Sequence, residues 1–127
     1  MDKLDERIAF LYQSGFVDEV GKHGLEELVH ILTSECGISR TNNHVVMLIT
    51  HVAMALKRAT AGEQVNPIPE SALQEVRESP VADEAIRVQT MLLNAMDNNL
   101  SEEEKDYILM HVGSLLMALQ TDKRMEA

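Results

Sequence analysis

Cysteine is almost missing from this 127-residue chain. Cys36 stands alone, so no disulfide can form within the chain, a pattern that suits a reducing compartment. Aromatic residues are nearly as scarce: two Phe, two Tyr and no Trp. Little is available to stack on nucleic-acid bases, and the core falls to Leu, Ile, Val, Ala and the eight Met. Positive charge is short too. Eleven Lys and Arg against 21 Asp and Glu give a net charge of −10, which argues against nucleic acid and against an anionic membrane surface, both of which call for a basic face. No uncharged apolar run approaches the roughly 18 residues a membrane span needs. The first dozen residues carry five charges and resemble no secretory signal. These absences point to a soluble cytoplasmic protein. A hydrophobic share of 45% is that of a globular chain rather than a disordered acidic tail. One domain over 1–127 is expected, since a typical domain has about 100–200 residues. At that size it needs no metal or disulfide to stay folded.

Helical periodicity runs through nearly the whole chain, and strand alternation through almost none of it. After Asn43, residues Val45, Leu48, Ile49, Val52, Leu56 and Ala59 recur at three- and four-residue steps, with Thr41 or Asn42 as caps and Gly62 just past the end. Ser101-Glu102-Glu103-Glu104 reads as a capping box, opening a helix from about residue 102 to 120 whose apolar face is Ile108, Val112, Leu115, Leu116 and Leu119. Between these two, Asn66-Pro67-Ile68-Pro69 forces extended backbone. Ser71 with Gln74 caps a short helix ending near Ser79, and another follows Pro80 and stops at Asp97-Asn98-Asn99. Two further helices are expected over about 4–13 and 17–36, the second opposed by Gly21 and Gly24. The fold class is therefore all-α: a compact bundle of five to six helices with antiparallel pairs.

The search for chemistry returns mostly absences. There is no glycine-rich phosphate loop and no nucleophile elbow. Cys36, at an expected helix end, is as readily a small buried residue as a nucleophile, and the carboxylate runs read as solvated faces. Five histidines remain. His44, His51 and Arg58 are spaced seven apart and share a helical face bordered by Met47, Met54 and Ala55. His111 follows Tyr107 by one turn and Glu104 by two. A hydrogen-bonded core role, an exposed role and a zinc ligand all compete for these rings, metal being the weakest because the three- or four-residue ligand spacing is missing. Arg58 follows His51 by seven and Glu104 precedes His111 by seven. Antiparallel packing with the two rings level therefore brings Arg58 beside Glu104, about 10 Å along either axis. Parallel packing instead opposes Arg58 to Ala118.

These residues carry a family resemblance. His51-Val-Ala-Met-Ala55-Leu-Lys-Arg58, then Gly62-Glu63 and Asn66-Pro67, resembles the first histidine motif of the PTS regulation domain, or PRD. Glu104-Lys-Asp-Tyr107-Ile108-Leu-Met-His111 resembles the second, and together they cover about residues 15–119. The resemblance implies a helical bundle, usually dimeric, of the kind found in bacterial antiterminators and transcription activators. It implies that His51 and His111 accept phosphoryl groups from the phosphocarrier HPr or an enzyme II component of the sugar phosphotransferase system. Arg58, Glu104, Tyr107 and Asn66 are then supporting residues. No cofactor, metal or catalytic role is expected. Thr50 stands where many members carry Asp, and no effector domain accompanies the bundle, so output is expected to pass through protein contacts. A non-phosphorylated helical adaptor and an accessory protein of a sugar-utilisation operon are the other readings.

Overall fold

Each helix of the chain begins where a side chain or a proline stops the preceding backbone. The computed structural model describes residues 2–63, 68–95 and 100–126, the last six for the course of the backbone only. The Asp2 carboxylate accepts from the Asp5 N–H at 2.9 Å and opens α1, Lys3–Gln13. Asp18 does the same for Gly21 and opens α2, Glu19–His30. This helix runs on into a π-helical turn, Ile31–Glu35, closed by Cys36 N–H donating to Ile31 O. Asn42, accepting from His44 N–H at 2.8 Å, starts α3, Asn43–Ala61, which ends on Gly62 at φ 73°. Helix α4 spans Glu70–Arg77, α5 Ala82–Ala95 and α6 Glu102–Glu126. Among the described residues these six helices and the π turn are the regular structure, and no strand occurs.

Three expectations need adjustment. Ser71 and Gln74 do not cap α4: the helix starts directly after Pro69, with no side-chain cap, because proline presets the backbone for the first turn. Helix α6 passes residue 120, since Thr-Asp-Lys-Arg-Met-Glu holds no breaker. The helix forms through its two glycines, which are buried in it; a Cβ on Gly21 would lie 3.0 Å from Val17 Cβ and 3.5 Å from Leu56 Cδ1. The Asp97-Asn98-Asn99 stop lies outside the described residues.

Helices α3 and α6 form the central pair. The first also packs on α1 and α2, the second on α4 and α5. Val45, Ile49 and Val52 from α3 meet a core completed by Ile108 and Val112 of α6, Leu92 of α5, Leu25 and Leu28 of α2 and Leu32 of the π turn, all fully buried. Each such side chain contributes about 1.5–3 kcal/mol relative to exposure. Helix α4 approaches α6 closely at Gly113, where a Cβ would fall 2.6 Å from Val76 Cγ1. Arg40, ahead of α3, ties back to α1 through Asp2 and Asp5 at 2.6 and 2.9 Å, and its guanidinium holds the Asp2 carboxyl down at about 2. No described helix is long and apolar enough to cross a membrane.

Candidate functional site

The seven-residue spacings place His51 and Arg58 on one face of α3, and Glu104 and His111 on one face of α6. The two helices run antiparallel, so both levels match. At the first level Arg58 makes a two-pronged ion pair with Glu104, Nε to Oε2 and Nη2 to Oε1, each at 3.0 Å. Glu104 is only 2% exposed and is the one buried charged residue among those described, so its carboxylate depends on this partner. The expected capping box is half made. Ser101 Oγ accepts from Glu104 N–H at 3.2 Å, but the Glu104 side chain turns to Arg58 instead of reaching back. A single carboxylate serves one destination, and the guanidinium, a charged two-pronged donor, outcompetes an N–H near solvent.

At the second level the two imidazoles stack, with centroids 4.0 Å apart and planes 13° from parallel. Tyr107 joins the levels. Its hydroxyl and His51 Nδ1 share a hydrogen bond of 3.2 Å, its ring meets the His111 ring edgewise at 4.4 Å, and the Arg58 guanidinium lies over it at 4.6 Å. Glu104, Arg58, Tyr107 and the histidine pair thus form one continuous chain of contacts. Both imidazoles are pushed toward the neutral form, each chiefly by burial. The Arg58 charge adds to this at His51. His51 and then Arg58 add to it at His111, which falls to about 4. Both shifts favour the neutral form, and both rings remain partly exposed.

His44 and Ser114 also line the hollow onto which the pair opens. His44 was visible in the seven-residue series. Ser114 carried no motif, but one turn beyond His111 it must share that residue's face. Asn66 lies outside the described residues. Thr50, in the position before His51, donates to Val46 O at 3.2 Å, as hydroxyls in helices commonly do, and gives His51 nothing. Cys36 sits elsewhere, its Sγ–H donating to Glu84 Oε1 at 3.0 Å. Burial and then that carboxylate push the thiol up to about 12, the reverse of what activates a nucleophile. No group of three or more potential metal ligands occurs among the described residues.

Comparison with known proteins agrees with this geometry. The sequence model of the PRD domain family matches residues 26–115, most of the chain and both histidine levels. The chain belongs to the PRD domain family. Membership places it among regulatory rather than catalytic domains, in a class tied to the sugar phosphotransferase system. The Uncharacterized protein YhfY of Escherichia coli (strain K12) is a similar PRD-length chain, 26% identical over 115 residues, which are 91% of this chain and 96% of that one. No solved structure matches the chain significantly.

Proposed function

We propose that this PRD protein is a regulatory component of the bacterial sugar phosphotransferase system, phosphorylated on His51 and His111 by HPr or an enzyme II component. The observation that carries the reading is the placement of the two rings: stacked on each other and partly exposed beside a hollow, rather than sealed in the core. A neutral imidazole is the nucleophilic form. The tautomer that donates Nδ1–H to the Tyr107 oxygen leaves the lone pair of His51 on Nε2. Arg58 and Glu104 hold Tyr107 in place, and Asn66 belongs to the same motif. Phosphoryl transfer asks mainly for in-line placement and charge stabilisation, so the donor protein supplies the rest.

Each phosphate adds about 1.5 to 2 negative charges to a chain already at −10. In a cytoplasmic homodimer of the PRD type, that charge shifts contacts between protein surfaces. An acidic chain delivers such a signal to another protein more readily than to a nucleic acid. In a reconstituted phosphotransfer chain with labelled phosphate, wild type is expected to take up label. The double variant His51→Ala/His111→Ala is expected to lose it, and unchanged labelling would sink the assignment. Thr50 favours a second reading, in which the fold serves as an unphosphorylated adaptor, because no carboxylate stands before His51 to orient it. That reading requires wild type to stay unlabelled.

A further inference from the structure

The two imidazoles do not sit in separate recesses. His51 and His111 open onto one hollow of about 270 Å³, whose wall also includes His44, Met47, Ser114 and Ala118. No Lys or Arg is among the described residues lining it. Arg58 meets the cluster over the Tyr107 ring, and one edge of its guanidinium, Nε with Nη2, is given to Glu104. A phosphoryl group on a ring nitrogen lies in the plane of that ring. With planes 13° from parallel and centroids 4.0 Å apart, groups on nitrogens that face the shared hollow would lie side by side. Each brings about 1.5 to 2 negative charges, and no lysine or arginine among the described lining residues divides them.

We propose that His51 and His111 form one phosphoryl acceptor, which takes a single group at a time on either ring, rather than two sites filled independently. The proposal rests on the reading of these histidines as acceptors. Protons already follow the same rule: a positive charge on His51 opposes one on His111 and helps depress its pKa. The consequence for signalling is a choice of helix. The added charge resides on α3 or on α6, never on both, so the chain has one unmodified and two modified states.

The full-length protein treated with potassium phosphoramidate tests this without a protein donor. An imidazole lone pair forms the N–P bond as the P–N bond of the reagent breaks. Ammonia leaves with that electron pair and takes up the proton the ring sheds. Intact-protein mass spectrometry with electron-transfer fragmentation then reads which histidines carry the group in each molecule, and the exposed His23 and His30 serve as independent controls. Molecules modified on both His51 and His111 are expected roughly tenfold or more below the product of the two single occupancies. In His51→Gln, His111 occupancy is expected to rise by up to about twofold at saturation, because competition for one place is relieved. Double occupancy at the product frequency, or no rise in the variant, overturns the single-acceptor proposal and leaves both histidines as acceptors. No modification of either ring while His23 and His30 are modified overturns the acceptor reading, and this proposal with it.

Discussion

Glu104 is a carboxylate with almost no access to water, and its charge is tolerable only because Arg58 meets it with two hydrogen bonds. Removing one partner of such a pair costs more than the pair contributes, since the survivor keeps its charge without compensation. Glu104→Ala is expected to lower the unfolding free energy by about 2–3 kcal/mol in urea titrations at pH 7, less than for a fully buried pair because the Arg58 side chain still reaches solvent. A loss under about 0.5 kcal/mol would place the pair in the range of ordinary surface bridges. The residue scale is also where the sequence was most legible. Two spacings of seven were enough to bring Arg58 to Glu104 once the helices were antiparallel. The spacing did not show that Glu104 would forsake its own helix cap, because a motif states what a side chain is able to reach, not which of two partners is stronger. Nor did it show Tyr107 bridging to His51, a contact set by ring orientation rather than by position along the helix.

Helix α6 carries Glu104, Tyr107 and His111 on one side and Gly113 on another, and the glycine governs how closely α4 can lie. Adding a methyl group there improves helix propensity by about 1 kcal/mol. It also drives a Cβ to within 2.6 Å of the buried Val76. Overpacking of that kind outweighs the gain, so Gly113→Ala is expected to be destabilising by about 1–2 kcal/mol net. Val76→Ala in the same chain removes the two closest contacts, at 2.6 and 2.8 Å, and leaves the Val76 Cβ contact at 3.2 Å. Urea midpoints of the two single variants and the double variant should therefore show losses well below additive. Helix existence and type were readable from the apolar period for α3, α5 and α6, since each has one face to bury. The start of α4 and the end of α6 were not. The first is set by Pro69 rather than by a polar cap, and the second by a run of good helix formers that no breaker interrupts. Gly21 illustrates the same limit, because a propensity penalty is local and the close approach of Leu56 from α3 is not.

For the molecule as a whole, acidity and the histidine pair combine into a pH dependence of stability. Both imidazoles bind protons less readily in the folded protein than in an unfolded chain, where the pKa is about 6.5. Between pH 6.5 and about 4, the value for His111, the unfolded chain takes up protons that the folded one refuses. Stability therefore rises with pH through this window. The contribution is complete above about 6.5 and is lost progressively on acidification toward about 4. On the order of 1–2 kcal/mol is expected, the shift being discounted for partial exposure of the rings. Urea unfolding at several pH values between 4.5 and 7.5 should show a shallower slope in His111→Gln than in wild type. Equal slopes would mean that the ring titrates alike in both states.

The stacked pair has one more consequence, for how the protein can be observed. With centroids 4.0 Å apart and planes nearly parallel, each imidazole lies within the ring current of the other. Their carbon-bound protons therefore resonate at frequencies that report the separation of α3 from α6. A rearrangement of the bundle is then visible in a proton spectrum of the unlabelled chain, with the two histidines acting as a ruler that the sequence itself supplies.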